Sequence, residues 1–251
     1  MSEPRVIYEP IRVEDVPGSD ARLEVRVDAS VGCRNLEQRL LHVGPGGHAE
    51  AHQADSEDVL FVIGGGGALR FGGHVAALEP RSGVVVPADT PYRIDAGPDG
   101  VHLLSVLSPQ PGRPGSVPAA DAPPPDGDPV REGDQEVIAA GDDASIDYMD
   151  RWFRVLADPS HGARFVTQFV GYIGHSRAPE HVHTYEEVIY IVDGDGLVHI
   201  GETHPLRPGT SIYLPPGAPH CLENPHSNRV LALVGVFCPA GSPKERRPAS
   251  G

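Results

Sequence analysis

The sequence predicts an all-β chain built from two similar halves, each a sandwich or barrel of short strands. Three observations carry this. The 251 residues include 30 glycines and 27 prolines, roughly twice the usual share of about 12%. Both residue types break element interiors and supply turns, which disfavours a helical bundle. Short aliphatic runs recur at spacings of about 8–12 residues, as in sandwiches and barrels. Finally, the same order of landmarks occurs twice, on either side of a connector.

The first set of runs is LEVRVDA from Leu23, VLFVI from Val59, ALRF from Ala68, GVVVP from Gly83 and HLLSVL from His102. The second is RFVTQFVGYI from Arg164, EVIYIV from Glu187, GLVHI from Gly196, TSIYLP from Thr210 and VLALVGVF from Val230. Between them PQPGRPGSVPAADAPPPDGDPV has almost no bulky aliphatic residue and reads as an extended linker. The organisation expected is therefore a first domain over 1–108, a linker over 109–130 and a second domain over 131–251. DRWFRVLA, Asp150 to Ala157, is the best helical candidate, with Trp152 and Phe153 packing the connector onto the second half. The tail SPKERRPASG is expected to lack fixed structure.

The halves share a plan. Glu57 precedes VLFVIGG, and LEPRSGVVVPADTP follows; Glu187 precedes VIYIVDG, and LRPGTSIYLPPGAP follows. That order indicates an internal duplication.

A net charge of −15 repels phosphate backbones and anionic lipid, so neither nucleic acid nor a membrane surface is an expected partner. No apolar run approaches the ~18 residues of a membrane span, and the first residues lack an apolar signal core. Cys33, Cys221 and Cys238 form neither a disulfide framework nor a CxxC site, which fits a reducing, cytoplasmic compartment.

Seven of the 13 histidines fall between His175 and His226. In Glu180-HVHTYEE-Glu187, His181 and His183 share one face if the segment is a strand, close enough for two imidazoles to converge on one ion. Glu187 can add a carboxylate. Such ligands suit a first-row transition metal. Downstream stands GTSIYLPPGAPHCLEN, from Gly209 to Asn224.

Here the sequence resembles the cupin superfamily, with its motifs G(X)5HxH(X)3–4E(X)6G and G(X)5PxG(X)2H(X)3N. The second motif matches at Gly209, Pro215, Gly217, His220 and Asn224; the first matches at His181, His183, Glu187 and Gly194, with Gly174 one residue too early. The resemblance covers roughly 164–239 and, through the duplication, the first half, so the chain resembles a bicupin. It implies two tandem cupin barrels and one divalent transition metal (Fe, Mn, Ni or Zn) held by His181, His183, Glu187 and His220. The first half departs from the pattern. Glu50, His52 and Glu57 stand for the two histidines and the glutamate, with Gly64 following; Arg81 and Asp89 replace glycines, and Tyr92 replaces the last histidine. A phenol with a pKa of about 10 is a poor ligand, so a lost site is expected there, leaving that barrel as scaffold and dimerisation unit.

The function this implies is a metal-dependent enzyme acting on a small enol, keto acid or similar molecule, foremost a dioxygenase, with Glu187 accepting a proton during turnover. The alternatives are a redox-neutral isomerase, decarboxylase or lyase, and a non-catalytic binding or storage protein. A small-molecule substrate and a homodimer are the expected partners.

Overall fold

The computed structural model describes residues 2–113, 117, 119–133, 138–139, 151–243 and 247–248. Two antiparallel sheets dominate. One runs, edge to edge, Val130–Arg131, Ser82–Val86, Glu57–Phe71, Tyr92–Ser108, Glu37–Val43, Ala21–Val27 and Arg12–Asp15, with His48–Ala51 and His74–Leu78 attached to its long strands. The other runs Arg5–Ile7, Ser211–Leu214, Glu186–Asp193, Leu231–Cys238, Thr167–Ile173, Arg151–Ala157 and Ile138–Ala139. A four-stranded sheet of Ser176–Arg177, Cys221–Asn224, Gly196–Ile200 and Glu202–Leu206 closes the second barrel. Among the described residues no helix is long and apolar enough to cross a membrane.

The two large sheets repeat one another strand for strand, as a duplication requires. Asp58 pairs with Val86 and Leu107, and Glu187 pairs with Leu214 and Phe237. Gly65 and Gly194 occupy the same turn, at φ +73° and +76°; a Cβ there would lie 2.2 Å from the Gly100 oxygen and 2.3 Å from the Val230 oxygen. Only glycine fits such an approach. The outermost strands are exchanged. Arg5–Ile7, at the start of the first half, pairs with Ser211–Leu214 of the second. Val130–Arg131, entering the second half, pairs with Ser82–Val86 of the first.

Three apolar cores result. One fills each barrel, and the third lies between the sheets of the two barrels, where Leu36, Phe61 and Leu104 meet Val188, Tyr213 and Val236. Burial of such side chains contributes about 1.5–3 kcal/mol each, so the halves are held by a true core rather than by the linker. Two carboxylates pin this interface. Glu57 accepts from the Arg164 and Phe165 amides at 2.7 and 2.9 Å. Glu186 accepts from the Arg34 and Asn35 amides at 2.9 and 2.7 Å.

The helix expected from Asp150 to Ala157 is instead the strand Arg151–Ala157, paired with Thr167–Ile173. Its apolar residues fit either period over so short a run, and the neighbouring strand decides. Trp152 stacks on Tyr172 at 5.5 Å and Phe153 meets Phe169 edge-on, so both pack within the second barrel. Part of the tail is also ordered: Arg247–Pro248 pairs with His181–Val182.

Candidate metal centre

His181 and His220 face each other across a backbone bridge, with each amide donating to the other's carbonyl at 3.1 and 3.0 Å. The Gly217 amide donates to the His183 carbonyl at 2.8 Å. Gly217 has φ +79°, a left-handed turn open to glycine at no cost, and it swings the loop that presents His220 back toward His183. The three ring centroids are 4.4 to 5.0 Å apart. One ligand-type nitrogen from each ring lies within 4.8 Å of the others.

The tautomers are set by the backbone. His181 Nδ1 lies 3.1 Å from the Pro179 oxygen, and His220 Nδ1 lies 2.9 Å from the Ala218 oxygen. A carbonyl only accepts, so Nδ1 carries the proton and Nε2 keeps its lone pair, as a metal ligand requires. His183 stacks on Tyr185 at 4.5 Å, and Tyr185 stacks on Phe237 at 4.1 Å, which fixes the third ring. His183 and His220 are buried and His181 is partly exposed. The buried Glu187 carboxylate lies 3.7 Å from His183 Nε2. Three imidazoles converging beside a carboxylate are a donor set that fits a divalent transition metal. The cavity above them is walled by Arg151, Phe153, Phe169, Tyr172 and Leu233. Gln168 points the other way, toward the Val59 carbonyl between the barrels.

The corresponding place in the first barrel holds different residues from those the sequence suggests. Ala51 pairs with Tyr92 as His181 pairs with His220. The Asp89 amide donates to the Gln53 carbonyl as Gly217 does to His183. The counterparts of His181, His183, Glu187 and His220 are therefore Ala51, Gln53, Asp58 and Tyr92. Glu50, His52 and Glu57 each stand one residue away. On a strand that reverses the face. Glu50 is exposed and paired with Arg93 at 2.8 Å, and His52 is exposed and paired with Asp89 at 2.9 Å. Glu57 serves the interface, and burial pushes its carboxyl up to about 7. Arg81 and Asp89, at φ +68° and +56°, keep the left-handed turns of Gly209 and Gly217 without glycine.

A cation of the chain itself lies beside Asp58. Arg39 Nη2 donates to Asp58 Oδ2 at 3.1 Å and to Ser105 Oγ at 2.8 Å. The Ser105 and Tyr92 hydroxyls each donate to Asp58 at 2.7 Å. All four residues are buried. In the second barrel the matched positions are Phe169 and Gly235, where Arg39 and Ser105 stand in the first. A Cβ at Gly235 would lie 2.4 Å from the Phe169 ring and 3.3 Å from Glu187 Oε1. Among the described residues, only His181, His183 and His220 form a metal-type cluster of three or more ligands. Sequence reading overlooked Arg39, which stands directly before Leu40 and Leu41 in the strand EQRLLHV.

Comparison with known proteins agrees with this fold. Residues 169–236 match the cupin domain family model. A candidate glyoxylate-induced protein of Pseudomonas aeruginosa superposes with a TM-score of 0.76 at 15% identity, over 95% of this chain and 90% of its own. Ylba from E. coli gives 0.73 at 12%, over 94% and 91%. The oxalate decarboxylase of Lactobacillus farciminis, in a formate complex, gives 0.71 at 15%, over 96% and 87%. No curated protein sequence matches the chain. Residues 169–236, in the second barrel, carry a cupin domain, and the whole chain has the fold of these structures. Its two tandem barrels carry one histidine cluster between them among the described residues.

Proposed function

We propose that the second barrel is the active site of a metal-dependent enzyme acting on a small oxygen-rich molecule, foremost as a dioxygenase. The observation that carries this is the convergence of three imidazoles, two with Nδ1 held by backbone carbonyls, at the floor of an aromatic-walled cavity. His181, His183, His220 and Glu187 would hold one divalent ion, which supplies Lewis acidity and, as iron, a site for dioxygen. Glu187 sits where it can take a proton from an enol or keto acid and hold it at the oxygen facing His183. Phe153, Phe169 and Tyr185 exclude water, and the Arg151 guanidinium in the wall favours an anionic substrate.

A second reading, redox-neutral decarboxylase or lyase chemistry, is favoured by the likeness to the oxalate decarboxylase, although that likeness is one of fold. One experiment separates the two. Elemental analysis identifies the metal of protein purified without a metal-affinity tag. Oxygen uptake and carbon dioxide release are then followed over a panel of enols and 2-oxo acids. Oxygen uptake that disappears in His220→Ala supports the dioxygenase; carbon dioxide release without uptake supports the second reading. A native protein without transition metal refutes both.

A further inference from the structure

The first barrel is not filled in where its metal site would be. A cavity of about 240 Å³ lies there, with apolar walls that include Leu23, Leu41 and Ile94 and a floor of Arg39, Tyr92 and Ser105. We propose that this cavity binds a small organic carboxylate, with Arg39 as its anchor.

The argument rests on what each polar group has left to offer. The Tyr92 and Ser105 hydroxyl hydrogens are committed to Asp58. Arg39 Nε and Nη2 are committed to Ser105 and Asp58. Among the described residues Nη1 has no hydrogen-bond partner, and it keeps some accessible surface. The Arg39 side chain is only 10% exposed, so that residual surface faces the cavity. Asp58 itself is 1% exposed and does not line the cavity. Asp58 is behind the wall and Arg39 forms part of it; the carboxylate that does line the cavity, Glu50, is exposed and held by Arg93 at 2.8 Å. An accessible guanidinium N–H facing the cavity can donate to a carboxylate oxygen in a charge-assisted bond. Gln53 and His52 line the same cavity. The aliphatic walls select a carboxylate with an apolar body over a polyol or a phosphate.

Benzoate and its neutral isostere benzamide are suitable probes, followed by calorimetry and saturation-transfer NMR on the full chain. His220→Ala as the background disables the second barrel, so a failure here is separate from a failure of the enzyme reading. Benzoate should bind at least about tenfold tighter than benzamide. Ala51→Phe should abolish that binding by plugging the cavity, at a position whose counterpart already carries the His181 ring. Arg39→Lys, which keeps the charge and loses the planar fork, should weaken it about tenfold. Equal binding of acid and amide, no benzoate binding at all, or binding that survives Ala51→Phe would overturn the proposal.

Discussion

The two barrels surround a matched carboxylate with different residues. Each places a carboxylate, Asp58 or Glu187, at the matched position of a matched strand. In the first barrel the neighbouring strands supply Arg39 and Ser105, and the carboxylate is neutralised by its own chain. In the second the same positions are the uncharged Phe169 and Gly235, and Glu187 lies 3.7 Å from His183 Nε2. Three histidines face the space instead. The carboxylate of the first barrel is thus held by an arginine and two hydroxyls, and that of the second stands beside a histidine cluster. Loss of one kind of site and gain of the other requires changes on at least two strands.

The contrast is broken most severely by removing a histidine. His220→Ala should lower metal occupancy by on the order of 100-fold while circular dichroism stays native, because the apolar cores do not depend on the ion. A collapsed spectrum would instead make the site structural. The matching change in the first barrel should act on stability. Arg39→Met strands Asp58 as a buried charge and should cost about 3–5 kcal/mol in urea unfolding, with metal content unchanged. Adding Asp58→Asn should recover part of that loss.

Gly235→Ser gives the second barrel the first barrel's residue. Its Cβ would press on the Phe169 ring, and overpacking of this kind costs about 1–3 kcal/mol. Metal content should fall as well, since the same Cβ approaches Glu187; a variant with native occupancy would show that Glu187 does not depend on this clearance.

The smallest effect concerns Glu57 and Glu186, matched in position but placed across the interface. Burial raises the Glu57 carboxyl from 4.5 to about 7, so the folded chain holds a proton that the unfolded chain releases between those values. The stability this contributes is fully present below about pH 4.5 and is lost as the pH rises through 7. Glu57→Gln should flatten that part of the pH–stability curve. An unchanged slope would place its origin elsewhere.

Much of this was legible in the sequence. Turn-rich composition and recurring short runs give the β class, and the repeated landmarks give the duplication. His181, His183 and His220 stand at motif spacing and do meet in space. Glu50, His52 and Glu57 stand one residue before the true counterparts Ala51, Gln53 and Asp58 at the same spacing, five steps from His52 to Glu57 and from Gln53 to Asp58, and as the residues of ligand type they masked the true register. That shift puts these three side chains on the opposite face, while Tyr92 keeps the place expected of it. Arg39 was hidden for another reason: its partners are 19 and 66 residues away, and only strand pairing brings them together. The helix expected over 150–157 failed because a seven-residue strand has too few periods to declare itself.

The exchanged outer strands bear on how the molecule comes apart. Each half lends its first strand to the other, and without it Ser211–Leu214 or Ser82–Val86 would present a bare hydrogen-bonding edge. A cut in the linker therefore severs the covalent path while leaving both the loaned strands and the shared core in place. Such a nicked chain would persist as a heterodimer of its own fragments. Neither fragment expressed alone would own a complete sheet, and unfolding of one barrel would strip an edge from its neighbour, so the pair should melt in a single cooperative event.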